Sequence, residues 1–253
     1  MGRVDGLKAV VTGSGGGMGG AIAIRLAEEG ADVVLNDRVA DRAGRFEADI
    51  RALGRDAVTV VANVTRREGA QAVVGAALER WGRVDILMNV VGGSQGPTFK
   101  RARLLELDKA DFMEAFNINV GSVFVCCHEI VPHMLERGKG VVINMASIGA
   151  REYRLPEPVM SVYNMTKASV MHLTRSMARE WAPAVRVNCI NAGHFITPRR
   201  ARTEAPERRQ RSLDEILVGR FGEPADIAAA AVYIASDAGA FFNGAFLDLH
   251  RGT

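Results

Sequence analysis

Thr12-Gly13-Ser14-Gly15-Gly16-Gly17-Met18-Gly19-Gly20 is the stretch on which the fold of this chain turns. It follows a β-branched apolar run, Leu7–Val11, and opens an amphipathic stretch, Ala21–Glu29, so strand, tight turn and helix are expected in succession. Glycines at a helix N-terminus leave backbone amides open to a pyrophosphate, with no Cβ in the way. The pattern G-x-G-x-x-G fits Gly15, Gly17 and Gly20, but so many glycines satisfy it almost by default. Its place between strand and helix is what sets it apart from a plain flexible loop. Asp37 ends the second apolar run. A carboxylate there accepts hydrogen bonds from an adenosine ribose and repels a 2′-phosphate, favouring NAD over NADP, whereas Arg38 beside it could pair with that phosphate.

Outward from this turn the same alternation continues. Apolar runs at Asp32–Leu35, Ala57–Val61, Asp85–Met88, Val141–Asn144, Val185–Ile190 and Ala245–Leu249 read as buried strands. Between them lie helical patterns at Met18–Glu29, Val39–Leu53, Arg66–Trp81, Lys109–Arg137, Ser161–Trp181 and Pro224–Ser236. Strand alternating with helix implies right-handed crossovers and a doubly wound α/β sheet. No repeat or linker divides the 253 residues, so a single domain over 1–253 is expected. Two long loops, 90–108 and 193–220, break the alternation at the sheet edge where ligands bind, and 193–220 reads as a substrate lid.

Composition narrows the function classes. A net charge of +3, from 32 basic and 29 acidic residues, gives no nucleic-acid footprint. No apolar run has the length of a bilayer span, and the N-terminus carries no signal-peptide pattern, so a cytoplasmic protein without membrane partners is expected. Cys126, Cys127 and Cys189 form an odd set, two of them adjacent in a helical pattern, which points to reduced thiols. Neither they nor the five histidines have metal-ligand spacing, so no metal is expected.

Tyr163-Asn164-Met165-Thr166-Lys167 places a phenol and one of only five lysines on one helix face. A nearby ammonium favours the phenolate and brings the tyrosine toward general acid/base work. Ser147, just past the fifth run, could hold a substrate oxygen beside that phenol. Alone the pair could be a chance surface contact; with the Gly-rich turn upstream it reads as a catalytic constellation.

These residues resemble the short-chain dehydrogenase/reductase family over essentially the whole chain. Thr12-Gly13, Gly17 and Gly19 match that family's cofactor turn, with Met18 between the last two. Asn89-Val90-Val91-Gly92 stands in its Asn-Asn-Ala-Gly motif, and Asn119, Ser147, Tyr163 and Lys167 match its catalytic tetrad. Asn63-Val64 sits where the family places Asp-Val beside the adenine, and Ile196-Thr197 where it contacts the carboxamide. The resemblance implies a Rossmann-type domain with seven parallel strands in the order 3-2-1-4-5-6-7. It implies that Tyr163 exchanges a proton with the substrate oxygen during hydride transfer. Lys167 would lower the tyrosine pKa and hold the nicotinamide ribose, Ser147 would position the oxygen, and Asn119 would anchor a water. The cofactor would contact Gly13, Gly17, Met18, Gly19, Asp37, Arg38, Asn63, Val64, Asn89, Gly92, Tyr163, Lys167, Ile196 and Thr197; Gly93, Ser147, Tyr163 and His194 would line the substrate.

The chain departs from the family at Val90, Val91, Ala192 and His250-Arg251-Gly252, and in a longer Ser147–Tyr163 interval containing Arg151-Glu152-Tyr153-Arg154-Leu155. Short stretches around Gly93 and Cys126 are similar to a branch acting on cyclic cis-diols. The expected function is NAD(H)-dependent interconversion of a secondary alcohol, cyclic or a diol, and a ketone, in a homotetramer or homodimer. Two alternatives stand beside it: an NADPH-dependent 3-oxoacyl-thioester reductase and a non-catalytic dinucleotide sensor. The basic segment Arg199–Arg211 reads either as a greeting for a substrate anion or as a solvated face balanced by Glu204, Glu207, Asp214 and Glu215.

Overall fold

Period-two burial organises the sheet. Val11, Val33, Leu35, Met88 and Ile143 enter one apolar cluster, and Val10, Val34, Leu87 and Val142 enter another on the opposite face. The computed structural model describes residues 2–151 and 160–250. Its strands are β1 (Lys8–Thr12), β2 (Asp32–Asp37), β3 (Ala57–Val61), β4 (Ile86–Asn89), β5 (Gly140–Ser147), β6 (Val185–Ala192) and β7 (Phe246–Leu249). All pairings are parallel, in the order β3-β2-β1-β4-β5-β6-β7. The chain therefore reverses direction across the sheet between β1 and β4, which opens a crevice at their carboxyl ends.

Helices α1 (Gly17–Glu28) and α10 (Pro224–Ala235) cover the first face. Helix α4 (Arg67–Trp81), α6 (Ser122–Glu136) and α7 (Ser161–Glu180) cover the second. At the amino end of the sheet, Asp32 bonds Lys8, and Asp85 is gripped by Arg83 at 3.0 Å and Arg137 at 2.8 Å.

Two expected helices are interrupted. The stretch expected at Val39–Leu53 splits into α2 (Ala40–Ala43) and α3 (Glu47–Ala52), because the Phe46 ring between them seats directly against Gly20 of α1. The stretch expected at Lys109–Arg137 runs as α5 (Lys109–Phe116), a π turn at Asn117–Gly121, and α6. There the Asn119 side chain bonds the Ala115 carbonyl at 2.9 Å, competing with the backbone ladder. Lys109–Glu136 has the length and hydropathy of a bilayer span, yet 44% of its most apolar window is buried within the fold. The lid segment holds two short helices, α8 (Pro198–Thr203) and α9 (Pro206–Asp214).

Candidate active site

The turn after β1 is shaped by glycines that bring three backbones together. Gly13 sits at φ +67°, a left-handed conformation, and a Cβ there would lie 3.2 Å from the Val91 amide nitrogen. A Cβ on Gly15 would come within 2.6 Å of the Arg42 Cβ and 2.7 Å of the Asp37 Oδ2, so side chains of β2 and α2 lean directly on the turn. The resulting groove has a volume of about 690 Å³ and runs from Asp37, Arg38 and Asn63-Val64, past Gly13, Gly17, Met18 and Gly19, to Gly92-Gly93 and Thr197. Its size suits a small-molecule or cofactor cleft, and its amide-lined, Cβ-free turn fits a dinucleotide pyrophosphate.

Asp37 is buried at the end of β2, where Oδ1 accepts the Val39 N–H at 3.0 Å and Arg42 at 3.4 Å. Asn63 closes a local turn by accepting the Thr65 N–H and hydroxyl. Asn89 does not reach the groove. Its amide donates to Asn144 at 2.9 Å, and Asn144 donates to Thr174 of α7 at 3.0 Å, so it braces β4, β5 and α7 from within. Val90 keeps its N–H bonded to Thr12 Oγ1 at 3.1 Å, so the bond between β1 and the loop after β4 is intact despite the valines.

The tetrad residues meet at the carboxyl edge of β5. Ser147 is the last residue of that strand; its hydroxyl accepts the Gly149 N–H at 3.2 Å and hydrogen-bonds Tyr163. Lys167 is buried, with Nζ donating to the Met145 carbonyl at 2.9 Å and lying 5.8 Å from the Tyr163 ring centre. Asn119 is fully buried and clamps Gly93, accepting its N–H at 2.9 Å and donating to its carbonyl at 3.0 Å. Gly92 is the point where these parts touch: a Cβ there would lie 2.7 Å from Asn119 Oδ1 and 2.9 Å from Lys167 Nζ.

The electrostatics differ from the expectation that Lys167 sets the tyrosine. Burial raises the Tyr163 phenol above its ordinary value, and the Ser147 hydrogen bond opposes that rise. Burial likewise pushes the Lys167 ammonium down to about 8, against a favourable contribution from Cys189. Both groups are thus drawn toward their neutral forms, because desolvation is the largest influence on each.

The groove does not extend to Ser147, Tyr163 or Lys167. Phe99 stands between, lining both the groove and a small void beside Tyr163. It is held by a third apolar cluster with Ala115 and Val162, backed by Leu107, Phe112 and Ile118. Ile196 bonds the Gly222 carbonyl through its N–H, and the His194 carbonyl accepts the Gly222 N–H, so both tie the lid base rather than line the groove. Thr197 lines the groove and caps α8 by accepting the Arg200 N–H at 3.2 Å.

Among the described lid arginines, Arg200 forms a two-point pair with Glu204 at 2.8 Å and lies over Phe221. Arg151 bonds Asp248 of β7, tying the turn after β5 to the far edge of the sheet. Residues 152–155 and 251–252 of the family departures lie outside the described residues. The three cysteines are free and buried, and burial raises all three thiols. No metal-binding cluster occurs among the described residues. Arg42, Arg45, Phe99, Glu114 and Arg202 also line the groove. Of these, sequence spacing could have pointed to Arg42, which follows Asp37 by five residues on the short helix α2.

Comparison with known proteins places these features in a wide kinship. Residues 13–253 match a family model described as enoyl-(acyl carrier protein) reductase. The chain is 37% identical to an uncharacterized oxidoreductase of Mycobacterium tuberculosis, over 100% of this chain and 94% of that protein. It is 34% identical to the 7α-hydroxysteroid dehydrogenase of Escherichia coli K12, over 99% of this chain and 95% of that one. A solved 7α-hydroxysteroid dehydrogenase, complexed with NADH and 7-oxo glycochenodeoxycholic acid, superposes with a TM-score of 0.91 at 34% identity, covering 99% and 95% of the two chains. A gluconate 5-dehydrogenase from Burkholderia cenocepacia with NADP and tartrate superposes with a TM-score of 0.88 at 31% identity, covering 99% and 96%.

Proposed function

The chain belongs to the short-chain dehydrogenase/reductase family, an oxidoreductase acting on CH–OH groups with a nicotinamide dinucleotide, and from that premise we propose that it interconverts a cyclic secondary alcohol and its ketone with NAD(H). The observation that carries this reading is the meeting of buried Lys167 and Asn119 at Gly92, with Ser147 and Tyr163 on the adjoining ends of β5 and α7, next to a glycine-lined groove that runs to Asp37. The kinship with a hydroxysteroid dehydrogenase supports a cyclic alcohol.

Bound in the groove, the nicotinamide would supply the hydride acceptor or donor. Gly13, Gly17, Met18 and Gly19 would hold its pyrophosphate, Asp37 the adenosine ribose, and Asn63 and Val64 the adenine side. Tyr163 would hold the transferable proton at Oη, and the Ser147 hydroxyl, already bonded to it, would orient the substrate oxygen on the same proton. Lys167 is tied to Met145 with Nζ beneath the phenol; below about pH 8 its ammonium stabilises negative charge developing on Oη. Asn119 fixes the backbone at Gly93 on the substrate side of this centre rather than meeting substrate itself. Phe99 lines the small void beside Tyr163 and would have to yield to admit substrate there.

Exposed Met113, Phe124 and Met165 on α5, α6 and α7 support association of copies through those helices, as a homodimer or homotetramer. Free buried thiols support a reducing, cytoplasmic setting. The description of the matching family model favours one second reading, an acyl-thioester reductase using NADPH. Titration of NADH into the purified chain, read by the fluorescence of the reduced nicotinamide, followed by a screen of cyclic alcohols with NAD and acyl thioesters with NADPH, separates the two.

A further inference from the structure

The small void beside Tyr163 has a chemistry that oxidation of a plain alcohol does not use. Phe99, Leu107, Ala115 and Val162 give it an apolar wall, and Lys100 and Arg101 line it as well. The loop after β4 carries both cations and is pinned on either side of them. The Gly96 N–H donates to the Phe99 carbonyl at 3.0 Å, and the Lys100 N–H donates to Asp111 Oδ1 of α5 at 3.0 Å. Asp111 is the acid among the described residues that line the void, and its charge is already engaged. Its Oδ2 lies 3.6 Å from the Lys100 ammonium and accepts the Asp108 N–H at 3.4 Å. Across Phe99, in the groove, Glu114 is bonded by Thr98 at 3.0 Å and Asn117 at 3.1 Å. Lys100 and Asp111 thus offset each other, which leaves Arg101 as the cation in excess at the lining. Arg101 is partly buried, with Nε shut off from solvent, so its charge is screened less than one on an open surface.

We propose that Arg101 makes this void an anion subsite, so that the alcohol oxidised at Tyr163 carries a carboxylate on an apolar, ring-sized body. The substrate class is then a cyclic hydroxy acid rather than a neutral alcohol. The planar guanidinium fork takes both carboxylate oxygens, and the apolar wall takes the ring, while the carbinol oxygen lies at Tyr163 and Ser147. Phe99, which lines both spaces, gives way to join them. The carboxylate stays out of the chemistry: the alcohol gives its hydride to NAD and its proton to Tyr163, leaving an oxo acid. Arg101 therefore sets specificity and touches substrate away from the reacting atoms. This rests on the reading of Tyr163 as the acid/base of a nicotinamide-linked dehydrogenase.

The test uses the full-length chain saturated with NAD. Calorimetry compares binding of cyclohexanecarboxylate with that of its neutral isostere, cyclohexanecarboxamide, for wild type, Arg101→Met and Arg101→Lys. Rates of NADH formation are then compared for 3- and 4-hydroxycyclohexanecarboxylate and the matching carboxamides. Wild type should favour the carboxylate by at least about tenfold, in binding and in kcat/KM alike. Arg101→Met should bring that ratio to within about twofold of unity, and Arg101→Lys should keep part of it. A wild-type ratio near unity overturns the inference, and oxidation of neutral cyclic alcohols by the same protein leaves the functional reading standing. A carboxylate preference that survives Arg101→Met overturns it as well, since another cation then holds the anion. An Arg101-dependent preference in binding, with no alcohol oxidised, upholds the anion subsite and overturns the acid/base reading of Tyr163 instead. Failure to bind NAD overturns both.

Discussion

Replacing Lys167 by methionine should make this protein more stable at neutral pH while removing its acid/base centre. The ammonium is buried, and its pKa lies near 8 against an ordinary 10.5. That interval corresponds to about 3 kcal/mol by which the native state at pH 7 bears the charge less well than the unfolded chain. The sign follows from proton binding. Between about pH 8 and 10.5 the unfolded state holds more protons than the native one, so wild-type stability rises with pH across that window. Methionine removes the charge and keeps a flexible apolar chain of similar length, but leaves the Met145 carbonyl without its 2.9 Å donor, at a cost of about 1 kcal/mol. The net expectation at pH 7 is a gain of about 2 kcal/mol, or roughly a 0.7 M increase in the urea midpoint for a chain of this size. Urea unfolding of both proteins at one protein concentration, at pH 7 and pH 10, reads it. The advantage should shrink to nothing or reverse at pH 10. A variant less stable at pH 7, or a difference that stays flat with pH, would refute the reasoning that burial of the charge dominates this site.

Three further outcomes are expected. Asn119→Ala removes bonds to both polar groups of Gly93 and to the Ala115 carbonyl; it should lower stability by about 2–4 kcal/mol, read in the same urea assay, and a change under about 0.5 kcal/mol would mean that the clamp carries no energy. Asp37→Ala should weaken NADH binding about tenfold while shifting the NADH-to-NADPH ratio toward NADPH in a fluorescence titration; unchanged binding of both sinks its assignment. Burial alone would raise the Asp85 carboxyl, but the Lys8 N–H and the Arg83 and Arg137 guanidinium groups outweigh it and hold it below the ordinary range. Its contribution is therefore present above about pH 4 and lost as pH falls through the folded value. Asp85→Asn should cost about 2 kcal/mol at pH 7, a gap that narrows in urea titrations below pH 4, whereas a constant gap argues against charge pairing.

Much of this molecule was legible in the chain because local chemistry wrote it. The strand alternation, the glycine turn, Asp37 at a strand end and the four-residue spacing of Tyr163 and Lys167 each follow from short-range pattern, and the sheet order emerged as expected. What was hidden depends on long-range packing. Nothing near Phe46 announces that its ring will settle on Gly20 and break the expected helix. Nothing within Asn119-Val120-Gly121 says that the asparagine will reach across to Gly93. Asn89 looked like a cofactor contact but is turned inward onto Asn144. Phe99 gave no signal at all, since its role comes from where α5 and α7 place Ala115 and Val162. Desolvation of Tyr163 and Lys167, which draws each toward its neutral form, is likewise invisible in a sequence.

The central claim is that Tyr163 delivers and accepts the proton during nicotinamide-linked alcohol oxidation. Formation of NADH from NAD across a panel of cyclic secondary alcohols, measured for wild type and Tyr163→Phe with NADH binding followed in parallel, tests it most directly. The predicted result is a turnover loss of at least about a hundredfold in the variant, with NADH affinity unchanged within about threefold. A Tyr163→Phe protein that oxidises the same alcohol at the wild-type rate would contradict it.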